Sequence, residues 1–91
     1  METAQDRIKR LHMRSMRRGM KEMDLIFMDF AARKLTTMSE ADLDLYDALL
    51  SENDQDIYQW VIGTEAPPAR FAAMMAEIIA GAEGIVAPAR M

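Results

Sequence analysis

The 91-residue sequence contains no cysteine, which excludes disulfides, thiolate nucleophiles and thiolate metal sites and fits a reducing compartment. It contains one histidine, His12, so no second imidazole can join it in a metal centre. Glycine and proline are scarce, at 4 and 3 residues, and with 51% hydrophobic and 29% charged residues the composition is that of a compact soluble domain. Apolar runs fall well short of the roughly 18 residues of a membrane span, and no apolar signal core opens the chain; the expected compartment is the cytoplasm, or the mitochondrial matrix in a eukaryote. No glycine-rich loop could cradle a phosphate. The run "ENDQD" opens like a calcium loop, but Ile57 stands where the sharp-turn glycine is required, and a helix cap is the better account. Glu22 and Asp24, two residues apart, point to different helix faces and make a poor acid–base pair. These absences together argue against an enzyme.

What the sequence has is charge asymmetry. Residues 1–21 hold seven Lys/Arg against two Asp/Glu, and residues 22–91 hold four against thirteen, so a segment of +5 faces a remainder of −9. Such a dipole can orient an encounter with a charged partner. Nucleic acid is disfavoured as that partner, because the acidic remainder repels phosphate and no aromatic side chains are interleaved with the basic ones. The basic segment from Arg7 to Lys21 has the composition of a transit peptide, but it runs directly into helix-period apolar sequence and is placed in the mature fold.

Periodicity predicts helices throughout and no strand. Ile8, Leu11 and Ser15 share one face of a first helix, expected to end at Gly19 in the left-handed conformation, with Arg14, Arg17 and Arg18 in its last turn. Met23, Ile26, Phe27, Phe30 and Ala31 mark a second helix, with Glu22 and Asp24 in its first turn. A third follows Ser39 as N-cap and buries Leu43, Tyr46, Leu49 and Leu50. A fourth follows an Asn53 or Asp54 cap, buries Ile57, Trp60 and Val61, and ends at Gly63. A fifth has Pro67 or Pro68 in its first turn and buries Phe71, Met74, Met75, Ile78 and Ile79. From Gly81 onward periodicity is lost and fraying is expected. The predicted architecture is all-α, a small five-helix antiparallel bundle over residues 1–82 with a flexible tail over 83–91.

Two features bear on function. Methionines at 13, 16, 20 and 23 recur at three- and four-residue steps, which favours burial over an adaptable contact surface. In "RRGMKE", Arg18 and Glu22 stand four apart across Gly19: either a weak ion pair beside a helix break, or a surface where glycine admits another backbone and the charges hydrogen-bond to it. Residue chemistry leaves these two readings even.

"RRGMKEMDLIFMDF" followed by "LSENDQDIYQWVIG" resembles the succinate dehydrogenase assembly factor E family, the flavinylation factors of succinate dehydrogenase and fumarate reductase flavoproteins. The resemblance covers His12 to Gly63 and extends weakly into the fifth helix. Its marker R-G-x-x-E is Arg18, Gly19 and Glu22, supported by E-x-D, by Phe27 and Phe30, and by D-x-D-x-Y-x-W; Met38 stands where leucine is expected. The resemblance implies a five-helix bundle that acts as a chaperone. It would bind the succinate dehydrogenase flavoprotein subunit, with the fumarate reductase flavoprotein as a second client, and promote covalent attachment of FAD to a client histidine. It implies no permanently bound cofactor; the residues argue against a metal, nucleic acid and membrane insertion, and a bundle with one client-binding face is expected to be a monomer. The client-binding residues would be Arg18, Gly19 and Glu22, with Arg17, Asp24 and His12 on the same surface. A small antitoxin-like or regulatory interaction module is the alternative.

Overall fold

The computed structural model describes residues 2–86, which form α1 (Ala4–Met16), α2 (Lys21–Lys34), α3 (Glu40–Leu50), α4 (Asp54–Ile62) and α5 (Ala72–Val86), with 3-10 turns at Leu35–Thr37 and Ala69–Phe71. Three helices start on side-chain caps that satisfy an orphan backbone N–H. Thr3 accepts from Asp6 N at 3.0 Å, Ser39 from Asp42 N at 3.1 Å and Asn53 from Gln55 N at 2.7 Å. α4 ends at Gly63, whose φ of 89° is left-handed, and the Gly63 and Thr64 amides both donate to Gln59 O at 3.0 Å.

α2 is the central helix and packs along both α1 and α5. Its Met23, Ile26, Phe27, Phe30 and Ala31 are all buried. Tyr46 from α3 enters this layer, its ring centroid 6.1 Å from that of Phe27 and 5.4 Å from that of Phe30. The Tyr46 hydroxyl lies 2.7 Å from Ser15 Oγ, which also donates to Leu11 O at 2.7 Å. Ser15 is thereby the polar member of an otherwise apolar face of α1, paired as burial requires. Trp60 of α4 meets Phe71 at 6.2 Å and closes the other end of the core.

The five helices agree with the sequence expectation, and four local features differ. α1 stops at Met16 with Arg17 as its C-cap, and Gly63 is the only glycine of positive φ among the described residues, so Gly19 is not a left-handed cap. The break between α1 and α2 shifts the register of the methionines: Met23 is fully buried and Met20 packs on the core, but Met13 and Met16 are 45% and 47% exposed. The prolines precede the fifth helix, Pro68 leading into the 3-10 turn whose Phe71 amide donates to Pro68 O at 2.9 Å. Beyond Gly81 the chain stays helical to Val86. Gly81 lies so close to the Arg33 guanidinium that a Cβ there would collide with Nη2. The remainder of the expected tail, 87–91, lies outside the described residues.

Burial pushes the Tyr46 phenol up to about 12, against smaller opposing effects of the Ser15 hydrogen bond and nearby arginines. The folded state therefore favours the neutral phenol: its contribution is complete below the unfolded value of about 10 and is lost as pH rises from there toward the folded value. Thermal melts at rising alkaline pH are expected to show this loss in the wild type and to lack the Tyr46 component in Tyr46→Phe. Phe27→Ala is expected to cost about 3–5 kcal/mol in urea unfolding.

Candidate functional site

The chain between α1 and α2 is organised by Arg18. Its side chain is only 7% exposed, and the guanidinium faces the turn that links α3 to α4. Nε donates to Asp54 Oδ1 at 2.8 Å, Nη2 to Glu52 O at 3.0 Å, and Nη1 to Leu50 O. Leu50 and Glu52 supply carbonyls at the end of α3, where a cation complements the helix dipole, and Asp54 lies in the first turn of α4. One cation thus serves the end of one helix and the start of the next. The Arg18 Cζ also lies 5.4 Å from the centroid of the Phe27 ring, within cation–π range.

The neighbouring backbone is held by the same turn. Gly19 N donates to Asp54 Oδ2, and a Cβ at Gly19 would stand 2.9 Å from that oxygen. A side chain at this position would force the Asp54 carboxylate to shift. Asp24, in the first turn of α2, accepts from Arg18 N at 2.6 Å. The glycine is required by a close approach within the chain itself. The i,i+4 pair expected between Arg18 and Glu22 does not form, because Asp54 takes the guanidinium.

The predicted site residues therefore separate into two sets. Arg18, Gly19 and Asp24 are joined through the hydrogen bonds of the junction. Arg17 and Glu22 are exposed beside it and form no ion pair among the described residues. His12 is half-buried on α1 with no side-chain hydrogen bond to any of them among those residues.

Sequence reasoning missed the partners of the basic helix. Arg7, Arg10 and Arg14 form a ladder with α3: Arg7 pairs with Asp44, Arg10 with Asp47 at 3.0 Å, and Arg14 with Asp47 and, at 3.0 Å, with Ser51 Oγ. Arg10 also reaches Glu2 at 2.6 Å. The signal was available in the matched steps of 7, 10, 14, 18 and 44, 47, 51, 54, one row of arginines and one of acceptors. The hydrogen bond from Arg10 holds the Asp47 carboxyl below its ordinary range, outweighing its partial burial, and holds Glu2 down likewise. Of the basic residues in 1–21, Lys9, Arg17 and Lys21 are left without an ion pair among the described residues. The described residues hold no group of three or more His, Cys, Asp and Glu placed to bind a metal, and no helix among them is long and apolar enough to cross a membrane.

Comparison with known proteins places this geometry in context. Residues 9–82 match the family described as flavinator of succinate dehydrogenase. A Candida glabrata protein named mitochondrial succinate dehydrogenase assembly factor 2 is 52% identical over 52 residues, covering 57% of this chain and 34% of that protein. The Mycosarcoma maydis protein of the same name is 38% identical over 71 residues, covering 78% of this chain and 30% of that protein. A Legionella pneumophila (strain Lens) protein named FAD assembly factor SdhE is 41% identical over 51 residues, covering 56% of this chain and 65% of that protein. The chain thus spans about a third of the length of the fungal relatives and just under two thirds of the bacterial one.

Two outcomes follow from the ion pairs. Removing one partner of a buried pair leaves the other uncompensated, so Asp54→Asn is expected to cost on the order of 3 kcal/mol in urea unfolding. For the ladder, depressed carboxyls contribute stability that is complete above their unfolded values near about 4 and is lost as pH falls through the lower folded values. Asp47→Asn should flatten this acid limb in melts below about pH 5, while changing stability near neutrality by only about 1 kcal/mol because the pairs are partly exposed.

Proposed function

The chain belongs to the family of flavinators of succinate dehydrogenase, and on that basis we propose that it binds the flavoprotein subunit of succinate dehydrogenase and promotes covalent attachment of FAD to a histidine of that client. The fumarate reductase flavoprotein is the second client of this reading. The observation that carries it is the family match over 9–82, which contains the whole Arg18–Asp54 junction and the exposed charges beside it. The chain acts as an assembly factor and not as a catalyst: the covalent chemistry belongs to the client histidine and the flavin. FAD is the client's cofactor, and this chain retains none. It works as a monomer in the compartment of its client, the cytoplasm or the mitochondrial matrix.

In this proposal the two sets of residues have different roles. Arg18 and Asp24 fix the path of residues 17–20 from within, and their hydrogen bonds are already made inside the chain. Gly19 is exposed and has no side chain, so it leaves the client's backbone free to approach an already rigid strip. Arg17 and Glu22 supply the charged groups that hydrogen-bond to the client, with half-buried His12 of α1 as a further contact. A rigid surface loses little entropy on binding, which helps it hold client histidine and flavin in reacting geometry.

Glu22→Ala separates contact from folding, since Glu22 is exposed and makes no side-chain hydrogen bond among the described residues. Its unfolding free energy should match wild type to within the usual about 0.5 kcal/mol of a surface change. Covalent flavin, followed by in-gel fluorescence after mixing flavin-free flavoprotein subunit, FAD and the chain, should appear about tenfold more slowly. A folded Glu22→Ala chain that flavinylates at the wild-type rate would remove Glu22 from the contact surface.

A further inference from the structure

An open cleft of about 320 Å³ lies between the C-terminal ends of α1 and α3, lined by Met13, Arg14, Arg17, Arg18 and Leu50. Three guanidinium groups on one concave surface would be self-repelling without compensation. Two are compensated: Arg14 by Asp47 and Arg18 by Asp54. Arg17 is exposed and forms no ion pair among the described residues, so the cleft carries one unbalanced positive charge. Met13 brings apolar surface to the same cleft, and Met16, also on α1, is exposed.

Resting on the reading of function above, we propose that this cleft receives a single carboxylate side chain from an acidic segment of the flavoprotein client, paired with Arg17 while an adjacent apolar side chain of that segment packs on Met13. A carboxylate fits better than a phosphate or the diphosphate of a free dinucleotide. One uncompensated guanidinium matches one negative charge, and the donors of Arg14 and Arg18 are already directed to Asp47, Ser51, Asp54 and two carbonyls. The rest of the molecule sharpens the preference. With a net charge of −4 and four basic residues in 22–91, the chain repels an acidic segment over most of its surface and attracts it at this cleft, which sets orientation as well as affinity.

The test measures binding of the full chain to flavin-free succinate dehydrogenase flavoprotein at low and at physiological salt. Arg17→Gln should weaken binding about tenfold and Arg17→Glu by about a hundredfold, both with a shallower dependence on salt and an unchanged melt. A photo-crosslinking residue in place of Met13 should capture a client peptide containing Asp or Glu beside an apolar residue. Wild-type binding that Arg17→Glu leaves unchanged, capture of a basic peptide, or competition by inorganic phosphate or free FAD would overturn the cleft assignment while leaving the assembly reading in place. Failure of the wild-type chain to bind the flavoprotein would instead overturn the reading on which the cleft rests.

Discussion

A guanidinium removed from water is stabilised only if its donors find acceptors, and Arg18 finds them all in one turn of chain. That requirement fixes several things together. The α3–α4 turn must present the Leu50 and Glu52 carbonyls inward, Asp54 must stand in the first turn of α4, and residue 19 must lack a side chain so that Asp54 can bridge to its amide. Phe27 supplies a ring face beneath, which ties the polar junction to the aromatic layer formed with Tyr46 and Phe30. The arginine is a fastening between two halves of the bundle, and the shape of the outer surface at residues 17–22 follows from it.

The helices were legible because each repeats its apolar residues at helical spacing over two turns or more, and because Ser39, Asn53 and Gly63 are capping residues at the right places. What local rules could not give was the partner of each charge. They offered Glu22 as one possible partner of Arg18, where the fold supplies Asp54, which is 36 residues away and far less exposed to water. They also treated Gly19 as a matter of backbone angle, when the constraint is the space occupied by a distant carboxylate. The methionine stripe failed for a related reason: a stripe continues only as far as its helix, and α1 ends at Met16. The resemblance to a family singled out Arg18, Gly19 and Glu22 without showing which of them face inward.

The basic character of the first 21 residues is largely internal to the structure. Arg7, Arg10, Arg14 and Arg18 hold α1 against α3 and the turn that follows it, and their partners account for part of the acidity of the rest of the chain. The dipole seen in the sequence is thus folded against itself. What remains outside is Lys9, Arg17 and Lys21, near the junction or along the open face of α1, so the field that a partner meets is local to that side.

Among the described residues, the large exposed apolar side chains are Met13 and Met16 on α1 and Leu25 and Met28 on α2. All but one are thioethers, whereas Met23 and Met75 are fully enclosed. Peroxide reaches sulfur in order of accessibility, so among the described methionines oxidation to sulfoxide begins at Met13, Met16 and Met28 and leaves the interior intact. A flavin that reacts with oxygen makes such an oxidant, and the first damage to the chain is then a polar roughening of its outer wall, of a kind that methionine sulfoxide reductases can reverse without any refolding.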